Sequence, residues 1–367
     1  MRRLHFALLS LLLVVAAQPL VAATYYVGTC KVGAFGTISA AVTSVPAGSI
    51  INVCPGTYAE QVTISKELTL KGIFDDNSSQ AVISVPSSGL ATTSSIYFGT
   101  VAPQVEVTAG PVNISNITVD GTAGSTNCPS TYEAGIFYSS GSSGTVTDVE
   151  TRNQSCNSEG VGIVAENGAG ATQSVTIENS IINTNSYISI LACSEQIPST
   201  LTASIKNNYV DATNIGIDLW CNVGGSVSGN VVAAGAIGVY AESPSITVSG
   251  NTVTAAGLYG IDAQGSVVSG NTVNNASCGI YIEVASSVTS NRISNSTDGI
   301  CLNAGGATIE SNIITQSDIG IEFSCNTGTL SGNTINGAAT GIDSVPAAFT
   351  GVNKFYNVGT VRTGGAC

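Results

Sequence analysis

A repeat restricts what this chain can fold into more than any other feature. Asparagine recurs at Asn208, Asn230, Asn251, Asn271, Asn291, Asn312, Asn333 and Asn353, at intervals of 20 to 22 residues. Four of these close a Ser-Gly-Asn triplet, and Asn291 and Asn312 follow Thr-Ser and Glu-Ser. A second marker keeps step with the first: Gly216-Ile217, Gly238-Val239, Gly260-Ile261, Gly279-Ile280, Gly299-Ile300, Gly320-Ile321 and Gly341-Ile342. Looser copies run back through Asn179, Asp148 and Asn116, and through Gly162-Ile163 and Gly135-Ile136. Self-similarity at this period marks stacked repeats rather than one globular core.

Within a cycle the segments are short and alternate apolar with polar, as in SVTSNRI and DGICLN, which is the strand pattern. About 21 residues divide into three short strands and three turns. The expectation is an all-β solenoid whose equivalent positions stack at ~4.8 Å. The Asn column is expected to occupy a turn that needs left-handed backbone and amide bonding. The residue after each Gly is expected to fill the core. Only 9% of residues are charged, while 43% are hydrophobic and 42 are Gly, a composition for packed strands and tight turns rather than disorder.

The start of the chain reads as a separate unit. Arg2 and Arg3 precede an apolar run from Phe6 to Ala17, and Val21-Ala22-Ala23 ends in small residues, the layout of a cleaved signal peptide. Residues 1–23 are therefore expected to be removed. Residues 24–367 form a single domain, with a cap and first coil at 24–73, irregular looped coils at 74–200 and regular coils at 201–367. The mature chain is expected to be secreted, extracellular or periplasmic, without a membrane span and monomeric. Two of the ten basic residues and the single histidine, His5, leave with the leader, so 23 acidic residues face eight basic ones, a net charge of −15. That balance opposes nucleic-acid binding and anionic membrane surfaces, and loss of His5 excludes histidine-based catalysis. Ten cysteines in an exported chain favour disulfides: Cys30, Cys54, Cys128, Cys156, Cys193, Cys221, Cys278, Cys301, Cys325 and Cys367. Pairing of neighbours in chain order is the expected connectivity.

The repeat resembles the right-handed parallel β-helix of the pectin lyase-like superfamily. Residues 37–73, TISAAVTSVPAGSIINVCPGTYAEQVTISKELTLKGI, are similar to the opening coil of its pectinesterase-like members. Ile38, Ala41, Val42 and Val45 have helical spacing, so 37–45 reads as a short amphipathic helix. In the resembled proteins such a helix plugs the open end of the coil.

The superfamily's catalytic motifs are missing. The Gly-His-Gly of polygalacturonases and the Gln-Asp-Thr-Leu and Asp-Phe-Ile-Phe segments of pectinesterases have no counterpart. None of Lys31, Lys66, Lys71, Arg152, Lys206, Arg292, Lys354 and Arg362 is expected on the Gly-Ile strand, where a lyase would need its base.

The resemblance places the saccharide groove on the outward residues of that strand. Alternation puts Val164 and Glu166, Asp218 and Trp220, Tyr240 and Glu242, Asp262 and Gln264, Tyr281 and Glu283, Cys301 and Asn303, Glu322 and Ser324, and Asp343 and Val345 outward. The expected saccharide contacts are Asp218, Trp220, Tyr240, Glu242, Asp262, Tyr281 and Glu283. Glu322 and Asp343, in one column of adjacent coils, form a candidate Ca²⁺ pair. Polar residues here would equally serve only to keep a strand face solvated. A polyanion would be repelled by the acidic chain unless Ca²⁺ bridged them, so a neutral polysaccharide or another cell-surface component is the expected partner. Three functions remain open: a non-catalytic saccharide-binding or cell-surface protein, a lyase or glycoside hydrolase with a diverged site, and a purely structural or adhesive solenoid.

Overall fold

The structure, a computed structural model, describes residues 22–74, 80–122, 132–155, 159–168, 170–183, 187–195, 200–254, 256–345 and 351–364. The chain winds into a right-handed parallel β-helix. Each coil contributes one strand to each of three sheets, as Ile246–Ser249, Thr252–Thr254 and Tyr259–Gln264 do in one coil. The first sheet runs from Thr24–Val27 to Gly328–Ser331, the second from Gly56–Ala59 to Lys354–Tyr356, and the third from Val62–Ile64 to Thr360–Gly364. The coil-to-coil pairings along all three are parallel, and in the first two sheets they run in register without slippage through the regular part.

The period of two within each strand fills the interior. Val248, Val268, Val288, Ile309 and Leu330 stack in the first sheet, and Val253, Val273, Ile293, Ile314 and Ile335 in the second. Ile261, Ile280, Ile300, Ile321 and Ile342 stack in the third. All are at most 1% exposed, and each such burial contributes roughly 1.5–3 kcal/mol. The glycines of the Gly-Ile marker have a steric cause. A Cβ on Gly260 would lie 2.3 Å from Val273 Cγ1 and 2.5 Å from the Gly279 carbonyl oxygen, and the same crowding recurs at Gly238 and Gly279. The corner between the second and third sheets thus has room only for hydrogen.

The Asn column carries the coil-to-coil register, but not through the backbone conformation expected of it. Its members are not the left-handed residues; those stand one position earlier, at Gly229 (φ 66°), Gly250 (64°), Gly270 (66°), Ser290 (58°), Ser311 (58°) and Gly332 (68°). The left-handed residue turns the chain so that the following Asn side chain points inward, where Asn208 to Asn333 are at most 2% exposed. The Asn271 amide Nδ2 donates to Val248 O at 3.0 Å and to Asn291 Oδ1 at 3.0 Å, and its backbone N–H donates to the same Oδ1 at 2.9 Å. The same set repeats from Asn208 through Asn333, which donates to Asn353 Oδ1. Asn179, Asp148 and Asn116 (φ 52°, 54° and 54°) match the left-handed position rather than the ladder, so the backward copies are shifted by one residue. Ser180 takes the ladder place there, its N–H donating to Asn208 Oδ1.

The expected cap is a helix at Ile38–Ser44 that buries Ile38, Ala41 and Val42. Thr37 Oγ1 accepts from Ala40 N, and both Glu60 carboxylate oxygens accept from the N–H groups of Ile38 and Ser39. These bonds satisfy donors that a helix start leaves open. Two disulfides join neighbouring cysteines in chain order, Cys30–Cys54 and Cys278–Cys301. Cys325 is also disulfide-bonded, while Cys128, Cys156 and Cys367 lie outside the described residues. Cys193 and Cys221 depart from the expectation: they are free thiols, 3.5 Å apart. Arg362 departs as well. It lies in the last third-sheet strand as the register partner of the core residue Ile342, and its guanidinium donates to Gly351 O.

Replacing Asn271 by Ala would orphan Val248 O and the Asn251 donors inside the coil. Urea unfolding should show a loss on the order of 3 kcal/mol, with a smaller loss for Asn353→Ala at the half-buried end of the ladder. Equal, near-zero losses would contradict the assigned role.

Candidate functional site

The outward face of the third sheet is not uniform. In its earlier coils it is covered by a hairpin made of Thr93–Ser95 and the antiparallel start of Gly99–Val107, within the irregular region where the sequence shows long loops. The tip, Ile96-Tyr97-Phe98, packs on outward residues Phe137, Val164, Leu191 and Cys193, making a second apolar cluster outside the coil. Glu166 fastens the tip by accepting from Ser95 Oγ at 2.5 Å, Ile96 N at 2.7 Å and Tyr97 N at 3.2 Å. Val164 and Glu166 are therefore buried beneath protein rather than facing a groove. Tyr97 stands edge-on to Trp220, their rings 5.1 Å apart.

Past the hairpin the outward column changes chemistry. Asp218, Tyr240, Asp262 and Tyr281 are register partners in successive coils, and the column continues through Cys301, Glu322 and Asp343. Asp218 and Asp262 thus stand two rungs apart, about 10 Å at Cα. The structure brings Asp218, Trp220, Tyr240, Glu242, Asp262, Tyr281 and Glu283 onto one stretch of this face. Gln264 Nε2 links two of them, donating to Tyr240 Oη at 2.7 Å and to Glu283 Oε2 at 2.6 Å. The register slips between Ala263 and Gln264, leaving Glu283 without a partner in the ladder and exposed.

Asp218 and Asp262 are 2% and 3% exposed, yet the Oδ1 atom of each has no hydrogen-bond partner. Tyr97 hydrogen-bonds the Asp218 carboxyl. Burial, with Glu242 and then Asp262 beside it, pushes Asp218 up to about 8. Burial, with Glu283 and Glu242 beside it, pushes Asp262 up to about 7. Buried polar atoms are almost always paired, and carboxyls shifted by burial and like charge cluster at functional sites. Two such groups on one column mark this stretch as the candidate site.

The far part of the face is built differently. Tyr259 and Tyr281 stack with their rings parallel, 4.3 Å apart and 6° from coplanar. They form a wall of a cleft of about 370 Å³ that is also lined by Cys278, Asp298, Cys301 and Glu322. Asp298 is pushed up to about 6 by burial and by Glu322, Asp318 and Asp343. Glu322 and Asp343 are neighbours as expected, but Asp343 accepts from the hydroxyls of Thr363 and Ser344, which hold its carboxyl below the usual range. The donors that converge are instead Asp298, Cys301 and Glu322, within 4.8 Å of one another, and the Cys301 sulfur is tied to Cys278. Val345 faces inward, not outward, because the register shifts between Ile342 and Val345.

Tyr97, Tyr259 and Asp298 were missed by sequence reasoning. Tyr259 and Asp298 share the column directly before each marker Gly, which the outward alternation does not reach. Tyr97 arrives from a distant loop and leaves no periodic signal.

Two measurements follow from these groups. Unfolded aspartate ionises near 3.8, whereas folded Asp218 and Asp262 hold their protons to about 8 and about 7. The native state then binds more protons than the unfolded chain between these values, so stability falls as pH rises through that interval, by up to about 1.4 kcal/mol per pH unit and group. Asp262→Asn should flatten this loss in urea unfolding; an unchanged slope would contradict it. Separately, mild oxidation should close the Cys193 and Cys221 thiols into a third described coil-to-coil bridge. Mass spectrometry after alkylation should lose two labels, and retention of both would contradict the pairing.

Comparison with known proteins places the fold. Residues 194–357 match the model of a family described as periplasmic copper-binding protein (NosD). No curated protein matches the chain. The A-module of the Azotobacter vinelandii mannuronan C-5 epimerase AlgE6 is similar at 17% identity, with 89% of this chain and 94% of that chain covered and a TM-score of 0.53. The Dettilon tailspike protein is similar at 16% identity, with 84% and 62% covered and a TM-score of 0.49. Pectin methylesterase PemA from Erwinia chrysanthemi is similar at 14% identity, with 71% and 80% covered and a TM-score of 0.39. No helix among the described residues is long and apolar enough to cross a membrane. The three-sheet coil and the likeness to the epimerase module make the fold of this chain a right-handed parallel β-helix.

Proposed function

We propose that the chain is an exported protein that binds saccharide on the third-sheet face between Asp218 and Glu283. One observation carries this reading: two buried carboxyls, each with an unpartnered oxygen, alternate along a single column with tyrosines, beside the exposed Trp220. Aromatic faces stack on the apolar faces of sugar rings, and the half-buried Glu242 and exposed Glu283 carboxylates can accept from ring hydroxyls. At neutral pH a protonated Asp218 can donate as well as accept, which suits the mixed donor and acceptor character of a hydroxyl. The column spans about 14 Å from Asp218 to Tyr281, a length for a chain of sugars rather than a single ring. The acidic surface favours an uncharged or cationic glycan over a polyanion.

Polysaccharide cleavage is a second reading, favoured by the spacing of Asp218 and Asp262, which is of the order that inverting glycosidases use between acid and base. Copper, which the description of the matched family raises, finds a poor donor set. Copper takes imidazole, thiolate or thioether ligands. The described residues include no histidine or methionine. Their two free thiols are pushed up by burial and by neighbouring carboxylates, so they stay protonated.

A panel of neutral, cationic and anionic polysaccharides would test the reading by affinity electrophoresis. Retardation should be lost in Trp220→Ala and Tyr281→Ala without loss of thermal stability. New reducing ends or unsaturated products would move the assignment to an enzyme. Absence of retardation by every glycan, with partner proteins still captured, would leave the structural or adhesive function instead.

A further inference from the structure

The carboxyls of the site say more about its ligand than that it is a sugar. Asp218, Glu242, Asp262 and Glu283 come from four successive coils, and the charges that act on Asp218 and Asp262 are the other carboxylates. The described basic side chains in ion pairs stand on other sheets: Arg152 with Asp120 and Glu150 in the second, and Lys206 with Glu178 in the first. Among the described residues, the charged groups that act on Asp218 and Asp262 are therefore carboxylates, and the buried Oδ1 atom of each is unpartnered.

We propose, building on the saccharide reading, that the site takes an amine-bearing glycan, a polymer of de-N-acetylated amino sugars. Its ammonium groups lie among Asp218, Glu242, Asp262 and Glu283 while its rings pack on Trp220, Tyr240 and Tyr281.

The competing ligands fit less well. A divalent cation needs six or more converging oxygens for Ca²⁺. The described donors that converge within 4.8 Å are Asp298, Cys301 and Glu322, not these four. The four are spread along the solenoid axis at the rung spacing of ~4.8 Å, which suits charges carried at intervals on a linear polymer. A neutral sugar would leave the mutual repulsion of the carboxyls in place, and a polyuronate would add to it. Ammonium supplies three donors per group and attraction to aromatic faces, so it answers the charge of the carboxylates and the ring faces together. Its charge also favours ionised Asp218 and Asp262, so binding at a pH where the amine is already an ammonium releases protons to solvent.

Isothermal titration of the full chain with a glucosamine hexamer and with the fully N-acetylated hexamer tests this. The glucosamine hexamer should bind at least about tenfold tighter, a gap within reach of one or two partly shielded charge contacts. The gap should narrow as salt rises, and the heat should depend on the ionisation enthalpy of the buffer. Glu242→Gln with Glu283→Gln, changes at half-buried and exposed positions that leave the coil intact, should reduce the gap, and Asp262→Asn should reduce the proton release. Equal affinity for both hexamers would overturn the amine assignment and leave the saccharide reading standing. Oligolysine binding as tightly as the glucosamine hexamer would overturn the glycan in favour of a cationic peptide. Failure of both hexamers and of all other glycans would overturn both readings.

Discussion

From Asn208 onward each coil is keyed to the next by a buried asparagine whose carboxamide accepts from one neighbour and donates to the other. Parallel strands of three or four residues have little register preference of their own, and a slip of one residue would send every core side chain outward. The ladder removes that freedom, because a buried amide out of line would lose several bonds at once. The left-handed Gly or Ser before it sets the corner, and the crowded Gly after the second strand sets the next. With these two corners held, the interior columns of Val and Ile follow, and so do the exterior columns.

The exterior column on the third sheet shows what such alignment makes available. A single outward position reads Phe137, Val164, Leu191, Asp218, Tyr240, Asp262 and Tyr281 along successive coils. Its apolar part is roofed by the hairpin tip, fastened by the buried Glu166 carboxylate. Its polar part starts where the roof ends, and the last residue of the roof to reach it is Tyr97, which touches both Trp220 and Asp218. The boundary desolvates Asp218 without closing the face, which is why a carboxyl on the outside of a solenoid titrates like a buried one. Farther on, the Cys278–Cys301 bridge and the stacked tyrosines form a firm continuation of the same face.

Periodic information was legible in the residues and non-periodic information was not. The Asn and Gly-Ile markers gave the coil, its period and the face that holds Asp218, Tyr240, Asp262 and Tyr281, since each is a repeated local solution to a steric or hydrogen-bonding demand. The role of Asn was misplaced by one residue because left-handed backbone and inward amide are adjacent in chain and look alike in a repeat. The titration of Asp218 and Asp262 could not be read, because it depends on burial, on Tyr97 of the distant hairpin beside Asp218, and on carboxyl neighbours in other coils. The free pair Cys193 and Cys221 and the inward turn of Val345 were likewise hidden, since both arise where the repeat is locally broken.

Trp220, Asp218 and Asp262 are proposed to meet one ligand on one face. Trp220 is the only tryptophan in the chain, so its emission reports that face alone. Titration with a glucosamine oligomer should shift and saturate the Trp220 emission with the midpoint found by calorimetry, and the shift should vanish in Asp218→Asn with Asp262→Asn. Saturable binding by calorimetry that leaves the emission unchanged would place the ligand elsewhere and contradict the account.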